Sequence, residues 1–549
     1  MRRLRRHFGW AAPALTLAAW VVAMARVGRW PSGDGPHLLG TSMRLANAIR
    51  DLAPLELLQG TNTLVGPHPP GAYASPTLAY AIVGTGWTQA HLVSGALVLG
   101  ICWDGMRRLG AGVPAAFALA GCGLVWTQAT NAGVDLMAGA CVVQAVSWLV
   151  ASDRLRRRRA VLWWGAWMGA GFITKYTAPL FLWGPCLLAG WWVVRDRRWR
   201  ALGGAALAFM GVAGLWYTTH AREVAGYIGA SGDATNPLLT NKALLEGPWW
   251  GPERLSWYPA VVADAWGIPA AMALVCGVGL GFLARRRAGA WAAPLLAVAG
   301  GWLALTVQIQ RQDRYLTPAV PLLAASVAGP AGWVALPVLA LGAYGAARIY
   351  ARPGPAPANR DYSHAWPPDG GDFPWMHEAF EPVSLHPADW QLERTVTAMA
   401  AAHGSETGTV ALMLDEQGEV PGFGVFLSAI TRAGYRWDVA TVMLMERGAS
   451  PGDPPPAAVF VGPFTTDAWP PRTFRTLFAV VRPTDRKRLG WIDRQGFRLA
   501  ESWSLPQGME GRLYVLPGGV PDAGPDPLPE RGSASPGAEE ERGPPGPPR

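Results

Sequence analysis

Eleven stretches of this chain are apolar for long enough to suggest membrane-crossing helices. They fall near residues 9–27, 86–103, 112–128, 133–151, 160–174, 176–194, 201–219, 260–283, 289–308, 315–330 and 332–349. A helix needs about 20 apolar residues to cross the hydrocarbon core. The fifth stretch is short, and the fifth and sixth predict a tight hairpin. Residues 73–84 are apolar but too short to span, which predicts an interfacial helix.

The pattern changes near Ala351. A Pro-rich stretch, RPGPAPANRDYSHAWPPDGG, predicts a linker over about 351–375. Beyond it, an amphipathic helix is expected near Asp389–His403 and another over Gly424–Ala433. Short apolar runs at Thr409–Leu414, Val439–Leu444, Ala457–Val461, Leu477–Val481 and Leu513–Leu516 predict strands. Strands alternating with helices predict a small α/β domain over 376–520. The tail 521–549 is rich in Pro, Gly and Glu, cannot bury a core, and is expected to be disordered. The fold expected is therefore a polytopic α-helical membrane protein, residues 1–350, carrying a C-terminal α/β domain.

Composition supports that division. Half of the 549 residues are hydrophobic, 29 are Trp, and only 15% are charged, whereas soluble domains carry about 25% charged residues. The net charge of +9 does not mark a nucleic-acid surface, because the basic residues sit in short clusters between apolar runs. Arg2, Arg3, Arg5 and Arg6 precede the first stretch. Arg107 and Arg108 follow the second, Arg154 and Arg156–Arg159 the fourth. Arg195, Arg197, Arg198 and Arg200 follow the sixth, and Arg285–Arg287 the eighth. Every second loop is basic, so those loops and the N-terminus are expected on the cytoplasmic side of an inner membrane. The loops 28–72 and 220–259 and the C-terminal domain are then expected outside. The basic start followed by an apolar run lacks a small-residue cleavage site and reads as an uncleaved first helix. The five Cys residues all lie in apolar stretches, which argues against a disulfide framework.

This topology puts several polar residues on one side. Asp34 follows the first stretch, and His68 ends the same outer loop in VGPHPPGAYASP. Asp135 opens the fourth stretch, Lys175 sits in the hairpin TKYTAP, and Arg311, Asp313 and Arg314 lie in RQDRYLTPAVP. Carboxylates, a His and cations at one membrane boundary suit a site for an anionic group. Each also has a plainer reading. Lys175 and Arg311 could snorkel, Asp135 could cap a helix, Asp34 could serve a Gly-Asp-Gly turn, and His68 could be a loop residue.

The order of these motifs resembles the GT-C fold glycosyltransferases that use polyprenyl-phosphate sugars. Protein O-mannosyltransferases (glycosyltransferase family 39) and lipid A aminoarabinose transferases are the types it is most similar to. The resemblance covers about residues 1–350. It implies transfer of a sugar from a polyprenyl-phosphate donor to an extracytoplasmic protein, lipid A or cell-envelope glycan, by direct displacement with inversion. It implies Asp34 as general base, with Asp135 orienting the acceptor or balancing the cations. Lys175, Arg311, Arg314, Tyr315 and His68 would then lie around the donor phosphate. No cofactor or metal is implied. Relatives often carry Asp-Glu where this chain has Asp34-Gly35, and a charged residue where it has His68. His37 or Glu56 could contribute in place of the missing acidic partner, but neither is the expected base. The C-terminal domain shows no nucleotide-binding glycine fingerprint, which fits a lipid-linked donor. A transporter, or a non-catalytic membrane assembly protein, would share the topology without the chemistry.

Overall fold

The computed structural model describes residues 35–62, 69–84, 87–130, 133–232, 250–284, 289–307, 313–327, 330–350, 391–413, 423–444, 457–461, 476–505 and 508–517. The first apolar stretch, the linker and the tail lie outside these residues.

The expected outer loop 28–72 contains two helices, α1 (Gly35–Arg50) and α2 (Pro54–Asn62), and a 3-10 turn at Pro70–Tyr73. The expected interfacial helix is α3 (Ala74–Val83). Pro70 opens the turn, where a missing N–H costs nothing. Tyr73, Ala79 and Tyr80 are buried, while Leu78 and Ile82 are exposed along the opposite edge.

Helices α4 (Trp87–Arg108), α5 (Val113–Ala120), α6 (Gly123–Thr130), α7 (Val134–Ala151), α8 (Arg158–Phe172), α9 (Ala178–Asp196), α10 (Trp199–Phe209) and α11 (Leu215–Gly232) follow. Then come α12 (Pro252–Trp266), α13 (Ile268–Ala284), α14 (Gly289–Val307), α15 (Val320–Ser326) and α16 (Pro330–Tyr350). Their shared core includes Phe181, Val142, Val143, Val146, Leu322 and Trp266. Among the described residues, α7 and the run Trp199–Gly226 are each long and apolar enough to cross a membrane, and Arg254–Ala263 with Ile268–Gly277 forms a third candidate bent by 104°.

Several of the apolar stretches are interrupted, for identifiable reasons. Residues 112–128 are two helices, α5 and α6, parted at Gly121–Cys122, where Trp126 Nε1 donates to the Ala120 carbonyl over 2.5 Å. The break between α12 and α13 falls at Gly267, whose φ of 75° lies in the left-handed region that glycine tolerates. A π segment at Met210–Gly214 and a non-helical His220 bend the seventh stretch. Residues 315–330 are a 3-10 helix (Asp313–Ala319, containing Pro318) followed by the short α15, not one span. None of these breaks adds a charge to the sequence, so the hydropathy pattern runs across them.

Small residues let the helices approach closely. A Cβ on Gly165 or Gly169 of α8 would strike the backbone of Ala205 or Phe209 in α10.

The C-terminal residues form a six-stranded sheet covered on both faces. Its strands are β1 (Thr407–Met413), β2 (Arg436–Leu444), β3 (Ala457–Val461), β4 (Thr476–Val481), β5 (Arg498–Ser504) and β6 (Glu510–Val515). Their order is β3-β2-β1-β4-β6-β5, with β1 parallel to β2 and β4 and the other pairs antiparallel. Alternate residues of β1 face opposite ways. Val410 and Leu412 pack with α17 (Leu392–His403) and α18 (Phe423–Arg432), while Ala411 and Met413 pack with α19 (Arg486–Arg494). The apolar runs anticipated five strands and two helices. They missed β5, an edge strand exposed at all but Trp503, and α19, four of whose nine residues are Arg or Lys.

Candidate functional site

Four segments meet around Asp135. Gly133 caps the start of α7, so Asp135 is not the N-cap but lies in the first turn. Its Oδ2 accepts a hydrogen bond from Lys175 Nζ at 2.7 Å. The pair is deeply placed, with Asp135 2% and Lys175 7% exposed. Lys175 thus points inward to a carboxylate instead of snorkelling to a boundary.

Lys175 is held by the turn between α8 and α9. Its N–H donates to Gly171 O, and its carbonyl accepts from Ala178 N. Its Nζ lies 5.5 Å from the centroid of the Tyr315 ring, a cation–π arrangement. Tyr315 and Arg314 are half-buried in the 3-10 helix Asp313–Ala319. That helix is set against α7 at Gly139, four residues from Asp135 and so on the same helix face. A Cβ at Gly139 would lie 3.2 Å from Thr317 O and Pro318 Cα.

The Pro69–Tyr73 segment closes over the same turn. Gly71 N donates to Ile173 O at 2.7 Å. A Cβ at Gly71 would meet that oxygen at 2.7 Å and Thr174 Oγ1 at 2.8 Å, so only glycine fits. The Pro-Pro-Gly sequence therefore seats the loop against the residues just before Lys175. From the other side, α1 packs Leu38 and Leu45 on Ala72, Tyr73 and Val134, the neighbour of Asp135.

The site is not internally satisfied. Asp135 Oδ1, Thr177 Oγ1 and Thr317 Oγ1 are buried with no hydrogen-bond partner among the described residues. A buried carboxylate with one oxygen unpaired is costly unless a ligand group supplies a donor.

Of the sequence-derived candidates, the structure brings together Asp135, Lys175 and Tyr315, with Arg314 beside Tyr315. Asp34, His68 and Arg311 lie outside the described residues. Glu56 is exposed on α2. Sequence reading missed His220. It is buried at the bend in α11, with Nε2 2.9 Å from the Asn62 carbonyl and its ring stacked on Trp216. A histidine closing an apolar stretch on the expected outer side was the available signal. Tyr217 ties the same helix to α8 by donating to Phe172 O at 2.9 Å.

No family profile and no curated protein matches the chain. Solved structures do match in fold, among them the following two. Over 92% of this chain and 98% of theirs, it superposes on ArnT from Cupriavidus metallidurans bound to undecaprenyl phosphate (TM-score 0.55, 13% identity) and in the apo state (TM-score 0.53, 14% identity). The chain thus has the polytopic GT-C membrane fold of these ArnT structures.

Proposed function

We propose that the protein is a membrane glycosyltransferase that moves a sugar from a polyprenyl phosphate to an extracytoplasmic acceptor. The observation that carries this reading is the buried Asp135–Lys175 pair, with a carboxylate oxygen that has no partner among the described residues, enclosed by Tyr315 and the Pro69–Tyr73 turn. It occurs in a fold whose ArnT example is bound to undecaprenyl phosphate.

In the proposed reaction, Asp34 accepts the proton of an acceptor hydroxyl or amine. The freed lone pair attacks the anomeric carbon, the bond from that carbon to the phosphate oxygen breaks, and the electron pair leaves on the phosphate. Attack opposite the leaving group inverts the configuration. Catalysis requires cations where the phosphate charge develops. An ammonium has three N–H donors, and holding Asp135 uses one of them. Arg314 supplies a planar guanidinium able to meet two phosphate oxygens. His68 and Arg311 complete the proposed donor site, and Asp135 orients the acceptor through Oδ1. The loops 28–72 and 220–259 and the C-terminal domain lie outside an inner membrane, with the N-terminus in the cytoplasm.

The test is sugar transfer by purified protein offered radiolabelled polyprenyl-phosphate sugars and a membrane extract as acceptor, with Asp34→Asn in parallel. Transfer by wild type and not by the variant is expected. Transfer by both keeps the enzyme class and moves the base elsewhere. No transfer from any donor by folded wild type overturns the reading.

A further inference from the structure

Helix α1 is buried on more sides than a surface loop segment needs. At about 3.6 residues per turn, its side chains divide into three faces. Leu38 and Leu45 meet Ala72, Tyr73 and Val134 at the edge of the candidate site. Leu39, Met43 and Ala46 meet Tyr80 of α3, and Arg50 donates to the Tyr80 carbonyl. The third face holds Gly40, Arg44 and Ala48 at four-residue spacing. Gly40 and Ala48 are buried, although neither belongs to those two apolar clusters.

What α1 meets besides the membrane part is α18, from the C-terminal sheet. Arg44 Nη2 donates to the carbonyl of Trp437 in β2 at 2.6 Å. Trp437 is a fixed point. Its side chain is fully buried, stacks on Tyr435 with centroids 4.4 Å apart, lies edge-on to His403, and donates through Nε1 to Ser405 O. A longer-range electrostatic link runs in the same direction. Burial pushes the Tyr80 phenol far above its ordinary range, and the Arg432 guanidinium at the end of α18 opposes that shift.

We propose that the C-terminal sheet is a brace for α1, that Arg44 is a positioning residue within it, and that the grip on Trp437 keeps one wall of the Asp135–Lys175 site in place. Asp34 directly precedes α1 in the chain, so the same grip sets where the proposed base begins. The link to turnover rests on the glycosyltransferase reading; the brace itself does not. Arg44, on the third face, is flanked by the small residues Gly40 and Ala48. Their size explains why the grip needs a directed bond, since Gly and Ala bury little apolar surface.

The test uses the full chain in detergent with two variants, Arg44→Ala and Ala48→Glu, and Arg44→Lys as the conservative control. Amide exchange of residues 35–50 is expected to quicken about tenfold in Arg44→Ala, the size of one charge-assisted hydrogen bond, with α7 and α8 unchanged. Ala48→Glu should quicken it further, and Arg44→Lys should restore most of the protection. Undecaprenyl phosphate, used as the binding probe, should bind all variants within about twofold of wild type, because none of the substitutions touches the proposed phosphate-binding cations Lys175 and Arg314. For sugar transfer, kcat should fall about tenfold with the KM for the lipid donor within about twofold, the pattern of a displaced group rather than lost binding. Unchanged exchange in both variants overturns the brace. A loosened α1 with unchanged kcat overturns its connection to the site. If wild type transfers no sugar at all, the glycosyltransferase reading fails, and the exchange measurement alone decides the brace.

Discussion

Helix α7 carries two buried polar clusters, and they are finished differently. At its first turn, Asp135 pairs with Lys175 but leaves Oδ1 without a partner among the described residues. Further along, Gln144 uses both ends of its amide. Its oxygen accepts from Arg108 Nη1 at 2.6 Å, and its nitrogen donates to Ile101 O at 2.8 Å and Asp104 Oδ2 at 3.1 Å. Arg108 also pairs with Asp104, donates to Ser147 Oγ, and lies 4.2 Å from the centroid of the Trp148 ring. Both clusters join α7 to a neighbouring segment. The Gln144 amide has its partners in hand and reads as a fastening between α4 and α7. Asp135 Oδ1 lacks a donor among the described residues, and in the proposed function substrate supplies it.

The comparison is broken most severely by removing Lys175. In Lys175→Met, Asp135 is left buried without its counter-charge, and the loss of one partner from a buried pair costs about 3–5 kcal/mol. Thermal unfolding in detergent should show that loss. The double variant Lys175→Met with Asp135→Asn removes the charge conflict and should regain most of the stability. Sugar transfer should be abolished in both. Recovery of transfer along with stability in the double variant would show that the pair is a fastening too.

A smaller effect is expected at the other cluster. Arg108→Met strands the buried Gln144 oxygen, while the half-buried Asp104 keeps the Gln144 amide and some solvent, so a loss of about 1–3 kcal/mol is expected. Transfer per folded molecule should match wild type. A folded Arg108→Met protein with kcat reduced tenfold or more would erase the distinction between the clusters.

How much of this was legible in the sequence depends on what each feature leaves there. Long apolar runs announce helices such as α7 and α9, and alternating short runs announce β1, β2, β3, β4 and β6. Breaks made by neutral residues leave no such trace. Gly121–Cys122, Gly267 and the 3-10 helix before α15 all sit inside continuous hydropathy. The polar edge strand β5 and the Arg-rich α19 lack an apolar run and were invisible for that reason. At the site, charge pattern placed Asp135 and Lys175 on one side as separate parts. Their pairing, across 40 positions, depends on how α7 meets the α8–α9 turn, and no local pattern encodes it. The contact from Arg44 to Trp437 spans 393 positions and joins regions that the sequence presents as distinct.

The Pro-Pro-Gly turn gives a third, milder comparison, because it tests placement without touching charge. Gly71→Ala must push a methyl against Ile173 O and Thr174 Oγ1. Overpacking of this kind costs about 1–3 kcal/mol, and here the backbone of a loop can yield. A modest fall in unfolding temperature is expected, together with a weaker grip on undecaprenyl phosphate. Unaltered affinity for that probe would separate the turn from the donor site.

The finest probe is Thr317→Val. Thr317 Oγ1 is buried without a partner among the described residues, so in the protein alone the hydroxyl is a burden. Replacing it with a methyl should leave stability unchanged or raise it by about 1 kcal/mol. If the hydroxyl, like Asp135 Oδ1, is held for a ligand, the same variant should bind undecaprenyl phosphate or the acceptor several-fold more weakly. Gain of stability with loss of affinity is the signature of an atom kept for substrate. Gain of stability with full activity would place Thr317 with the fastenings around Gln144, and would confine the unfinished part of the site to Asp135 and the Lys175 turn.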